Sequence, residues 1–397
     1  MKKRWIALLL ALAMLLGALT GCGDKAADDG DDENNPAAGD GTEPAENDGE
    51  TGLTEVPAEA REDPVAYVTD GAIHGDDVVM TVNGIDVPAG AFTYWLSDQY
   101  GSDAYLYQSY GVALDVTEVG EDGTTVADHY VQQAEQICQM NAVLQSKALE
   151  AGLELTEEQK EGLTQLEESF DQDSLTYYAT NAEALTAAYE ASCLASNLQD
   201  SLYGEGGAEA PTAETLADYA EETGTYTCRY ILLYTADLEE GDDESRAAQL
   251  AQAQALYDQL AACAPEELEE TFSQLQAEYN YDGNTDPFTF NDESSLAEGF
   301  RETVSAVDVG ELAISDETMY GYFVILRLDN DLDALREDYA SGAFEGKIDQ
   351  WMEEADVTVS DALEELDAVG TLQRLQALQD ALIAELTAAY ADTETAE

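Results

Sequence analysis

Tyr226-Thr227-Cys228-Arg229-Tyr230-Ile231-Leu232-Leu233-Tyr234 and Gly321-Tyr322-Phe323-Val324-Ile325-Leu326-Arg327-Leu328 are two runs rich in aromatic and branched residues and poor in charge. That composition predicts two strands. Between them lie helical patterns at 243–262 and 265–279, a turn-rich loop over 280–292, a short helix at 294–306 and an extended piece at 311–314. The order β-α-α-loop-α-β-β predicts one compact α+β domain over residues 224–330, inserted between helices. On its N-terminal side a β-rich run at 78–82 ends at the turn Asn83-Gly84, and Val87-Pro88 opens a helix to about residue 100. Helical periodicity continues over 126–151, 156–170 and 181–203, with Gly152 and Gly204 to Gly207 as stops. On its C-terminal side come a helix at 331–352 and a short strand at 357–359. Ser360 then caps a last helical stretch carrying Leu363, Leu366, Leu372, Leu375, Leu378, Leu382 and Leu386 on one face. The fold class is therefore α+β. A mainly helical domain over 76–223 receives a return at 331–360 and a helical tail at 361–397.

Charge excludes several function classes. The 397 residues hold 14 Lys+Arg against 86 Asp+Glu, a formal net charge of -72. Such a surface repels phosphate backbones and anionic headgroups, so no nucleic-acid partner is expected and membrane attachment cannot come from a basic patch. The five cysteines are too few for a disulfide scaffold. Cys138, Cys193, Cys228 and Cys263 show no metal-binding spacing, so they read as buried thiols with one bridge left open as an alternative. No cofactor or metal is expected. Two scattered histidines supply no nucleophilic triad, and the acidic pairs Asp242-Asp243 and Glu269-Glu270 follow from composition.

The N-terminus reads as an export signal. Lys2, Lys3 and Arg4 precede an apolar run at 5–16, too short to span a bilayer and right for a secretory segment. Leu19-Thr20-Gly21-Cys22 resembles the bacterial lipobox, which implies cleavage after residue 21, acylation of Cys22 and lipid anchoring at the extracytoplasmic face of the cell membrane. Residues 22–75 are acidic and poor in apolar side chains and predict a disordered tether.

From residue 77 onward the chain resembles the SurA and PrsA-type extracytoplasmic foldases. The stretch Asp77-Val78-Val79-Met80-Thr81-Val82-Asn83-Gly84-Ile85-Asp86-Val87-Pro88 followed by a helix resembles the start of their foldase domain. The insertion resembles a parvulin-type peptidyl-prolyl isomerase domain. Arg229-Tyr230-Ile231-Leu232-Leu233 resembles its first strand, Phe272 to Asp282 its helix and following loop, and Leu296-Ala297-Glu298-Gly299-Phe300 its Met-x-x-x-Phe. Val309-Gly310-Glu311-Leu312 and the run from Gly321 to Leu328 resemble its last two strands, and the helix with Trp351 resembles the return to the foldase domain.

The resemblance implies a proline seat and a polar cluster, and the departures bear on the second. Tyr230 and Phe323 stand at the two histidine positions, and Asp282 stands at a Cys/Asp position. These three are the degenerate catalytic positions. Leu296 and Phe300 stand in the apolar cup, with Phe290 beside them. Replacement of a Gly-rich loop by Thr285 to Phe290 changes the backbone there. Tyr94, Trp95, Tyr100, Tyr105, Tyr107 and Tyr110 are clustered after the first helix begins, so Tyr94 and Trp95 are candidates for contact with clients, against ordinary aromatic packing. The expected function is a lipid-anchored chaperone for unfolded, newly exported polypeptides with an impaired parvulin domain. An isomerase with an altered site and a non-catalytic surface scaffold are the alternatives. The overall charge favours basic or neutral clients.

Overall fold

The computed structural model describes residues 55–239 and 241–394. The export signal, Cys22 and most of the tether lie outside the described residues. The described chain opens with α1 (Ala58–Glu62) and α2 (Pro64–Val68), within the stretch whose composition predicts a tether. Ala60, Val65, Val68 and Ile73 are nonetheless buried in a core. The cause is local. Asp63 accepts the Ala66 N–H to cap α2, Pro64 presets its first turn, and Arg61 pairs with Asp173 and Glu385.

The strands β1 (Val78–Val82) and β2 (Ile85–Pro88) form a hairpin in which Val82 faces Ile85 and Asn83 and Gly84 both have positive φ. This is the two-residue primed turn that Asn-Gly favours. The helix α3 (Ala89–Ser109) follows and runs well past residue 100. Next come α4 (Val126–Glu150) and α5 (Glu157–Ser169), each opened by a capping box on Thr125 or Thr156. The helices α6 (Gln172–Tyr177), α7 (Ala182–Tyr203) and α8 (Ala213–Glu222) complete the first helical series. The inserted segment contains β3 (Tyr226–Tyr234), α9 (Asp243–Ala261), α10 (Pro265–Tyr279), β4 (Phe288–Phe290), α11 (Phe300–Ser305), β5 (Leu312–Ile314) and β6 (Gly321–Leu328). The chain closes with α12 (Leu332–Glu354), β7 (Val357–Val359), α13 (Asp361–Glu364) and α14 (Ala368–Glu394).

These elements form two units, one reaching Ser201 and resuming at Phe344, the other running from Leu202 to Ala343. The first packs a sheet of order β2-β1-β7 with α3, α4 and α14. Its core includes Phe92, Leu96, Val143 and the leucines 372, 375 and 378, so the C-terminal leucine face is an internal surface of this unit. Leu386 alone of that stripe is exposed.

The second unit is wider than the predicted 224–330. Leu216 and Ala220 of α8 pack on Leu335 of α12, and Tyr219 donates to Asp338 at 2.8 Å. Its antiparallel sheet has the order β4-β3-β6-β5. Alternation along β3 and β6 divides the side chains between two faces. Ile231, Leu233, Val324 and Leu326 pack with Leu256, Leu260, Phe272 and Leu275 of α9 and α10. Cys228, Leu232, Phe323 and Ile325 face the other way and pack with Phe290, Ala297, and Phe300 and Val304 of the short α11. The predicted helix at 294–306 shortens to α11 because Gly299, in the left-handed region at φ 87°, is its N-cap.

Candidate functional site

The α11 face of the second sheet holds a cleft of about 300 Å³. Strand register places its residues. Tyr230, Leu232 and Tyr234 alternate along β3, Phe323 lies opposite Leu232 on β6, and Phe288 of β4 lies opposite Cys228. Aromatic edges meet at the floor. Phe300 and Phe323 are 4.8 Å apart between ring centroids, and Tyr230 lies 5.6 Å from Phe300 and 5.7 Å from both Phe323 and Phe288. Leu296 and Ala297 complete the apolar wall.

A polar edge is built by the loop after α10. Asn280 Oδ1 accepts the Leu232 N–H at 2.8 Å, and the Tyr281 N–H donates to the Leu232 carbonyl at 3.1 Å. This clip holds the loop against β3. It brings Tyr281 into a parallel stack with Tyr234, with centroids 4.1 Å apart, and sets Asp282 beside Tyr230. Tyr230 Oη donates to Asp282 Oδ2 at 2.7 Å, while Asp282 Oδ1 accepts from Asn280 Nδ2 at 2.7 Å and from the Asn284 N–H at 2.9 Å. From beneath, Arg229 donates to Gln276 at 3.1 Å and to the Thr285 carbonyl at 2.9 Å, bracing the same loop. Burial first, then the hydrogen bond to Asp282 and its charge, push the Tyr230 phenol far above the ordinary tyrosine range. The phenol is therefore a neutral donor, and the edge offers a carboxylate and amides but no imidazole.

The structure brings together Tyr230, Asp282, Leu296, Phe300 and Phe323 on one cleft. Phe290 does not join them. It is buried against Tyr226 and Phe300 with the Arg301 guanidinium over its ring, and Phe288, two residues earlier, lines the cleft instead. Tyr94 and Trp95 are 7% and 6% exposed and pack edge to face inside the first unit, which removes them from any contact surface. The outward half of that cluster is Tyr105, Tyr107 and Tyr110. Cys138, Cys193 and Cys228 are buried free thiols and Cys263 is a half-buried one. The sequence reading missed Asn280, Asn284, Tyr234, Tyr281 and Phe288. The spacing Asn280-x-Asp282-x-Asn284 and the alternation of β3 are the signals that point to them.

No protein-family model matches the chain, and neither does a curated protein sequence. Solved structures do. The peptidylprolyl isomerase PrsA from Bacillus cereus is similar at 15% identity, over 76% of this chain and 99% of that one, with a TM-score of 0.27. The foldase protein PrsA from Lactococcus lactis is similar at 12% identity over 75% and 99%, with a TM-score of 0.30. PrsA from Bacillus subtilis is similar at 16% identity over 67% and 93%, with a TM-score of 0.22.

Proposed function

We propose that the chain is an extracytoplasmic folding factor that binds unfolded segments of exported polypeptides, and that the cleft of its second unit seats a proline or a similar apolar side chain. The observation that carries this reading is the open apolar floor of Phe300, Phe323, Leu296 and Leu232. It lies in a domain whose element order and residue spacing resemble a parvulin. Export and anchoring through an acylated Cys22 belong to the proposal and rest on residues 1–22. Isomerase catalysis is impaired in this reading, because rate gains come from a preorganised polar environment around the twisting amide. Tyr230 is protonated and already donates to Asp282, and Phe323 brings no polar group at all.

A second reading is favoured by the 2.7 Å contact between Tyr230 and Asp282. In it the pair supplies that polar environment and the chain is an isomerase with an altered site. Two measurements separate the readings. Two-dimensional exchange NMR on X-Pro peptides with the full-length chain is expected to show peptide binding without faster cis/trans exchange. Accelerated exchange that falls at least tenfold in Asp282→Ala establishes the second reading instead. Delayed aggregation of an unfolded substrate at equimolar ratio is the expected chaperone result, and its absence with every substrate tried refutes the chaperone function.

A further inference from the structure

The floor of the cleft is apolar, but its mouth is aromatic and acidic. Tyr281 is 61% exposed and Tyr320 is 44% exposed, and the Tyr234–Tyr281 stack adjoins Asp282 on the cleft wall. Every hydrogen bond received by Asp282 comes from a neutral donor: Tyr230 Oη, Asn280 Nδ2 and the Asn284 N–H. Among the described residues, no Lys, Arg or His lines the cleft. The whole unit from Leu202 to Ala343 contains five arginines and neither lysine nor histidine. All five are engaged elsewhere. Arg229 pairs with Glu269, Arg246 with Glu317, Arg301 with Asp292 and Arg336 with Asp333, while Arg327 is buried over the Tyr226 ring and donates to the Thr227 carbonyl.

A carboxylate whose hydrogen bonds come from neutral donors has no counter-ion among its partners, and tyrosine faces beside it attract cations through their quadrupole. The same two features disfavour an anion. This step rests on the reading of the cleft as a seat for an apolar residue of an unfolded chain. We infer that the cleft selects segments in which a Lys or Arg adjoins the seated apolar residue, with Asp282 and the Tyr234–Tyr281 pair reading the cation together. The occupant is thus a cationic-apolar stretch of polypeptide.

The test titrates the full-length chain with three peptides, Ala-Lys-Pro-Phe, Ala-Ala-Pro-Phe and Ala-Glu-Pro-Phe, at low and at physiological salt. Affinity is expected to fall in that order, with a spread of about tenfold between the Lys and Glu peptides at low salt, narrowing as salt rises. A net charge of -72 attracts any cationic peptide without help from the cleft. Asp282→Asn removes one of 86 acids, leaves that field in place and keeps an acceptor for Tyr230. The spread is expected to shrink to about twofold in this variant, and Tyr281→Leu is expected to shrink it in part. A spread unchanged in Asp282→Asn overturns the inference, because the selection then belongs to the overall field. Equal affinities for the wild-type chain also overturn it while leaving the apolar seat intact. Binding of none of the three overturns the seat and the selection together.

Discussion

Tyr230 Oη and Asp282 Oδ2 are joined by a 2.7 Å hydrogen bond across 52 residues of sequence. The bond links the middle of β3 to the loop after α10 and so sets the polar edge of the cleft. Tyr230→Phe is expected to destabilise the second unit by about 1 kcal/mol, since Asp282 is exposed and water replaces the lost donor. Urea denaturation followed by a probe in this unit reads the change. A loss above about 3 kcal/mol would show that the phenol does more than hold the loop.

Gly321 is a sharper test of the sheet. Its φ is 136°, and a Cβ there meets the Leu233 carbonyl oxygen at 2.1 Å and the Thr235 nitrogen at 2.9 Å. Both obstacles are backbone of the neighbouring strand, so nothing small moves aside. Gly321→Ala is expected to destabilise the unit by about 3 kcal/mol or more and to disturb the Tyr234 end of the cleft. Near-wild-type stability would mean that β3 and β6 do not pair at this register.

Asp98 supplies a pH dependence in the first unit. Burial holds its pKa above the ordinary 3.8, against a weaker opposing hydrogen bond from Gln99, and Tyr94 and Tyr178 lie close by. The folded state therefore binds the proton more tightly than the unfolded state. The ionised carboxylate weakens the fold at neutral pH, and this penalty fades as pH falls through the raised folded value toward 3.8. Asp98→Asn is expected to raise stability at pH 7 by on the order of 1 kcal/mol, with the gain shrinking as pH falls. Thermal melts of both proteins from pH 7 to pH 4 check the sign, and a gain that grows on acidification would refute it.

Leu375 tests whether the C-terminal leucine face belongs to the core. The side chain is 1% exposed within the cluster that holds Phe92, Leu96 and Val143. Leu375→Ala is expected to cost about 2–5 kcal/mol, whereas Leu386→Ala, on the exposed end of the same helix, is expected to cost well under 1 kcal/mol. Equal and small losses would return the helix to a separate tail.

Much of this architecture was legible in the sequence because it depends on local pattern. The strands at 226–234 and 321–328, the Asn83-Gly84 turn and the Thr125 and Thr156 caps follow from residue type and spacing. Tertiary contacts decided the rest. Phe288 and Phe290 share one face of β4, yet Phe288, opposite Cys228, lines the cleft while Phe290, opposite Tyr226, is buried against Tyr226 and Phe300. Tyr94 and Trp95 belong to the same aromatic run as Tyr105 and Tyr110, and only the neighbours of α3 separate core from surface. Residues 58–68 resemble their acidic surroundings in composition, but Glu385 and Asp173 lie far along the chain and hold Arg61 in place. Chain periodicity sets which side chains share a face of an element; which face is buried depends on partners brought together by the fold.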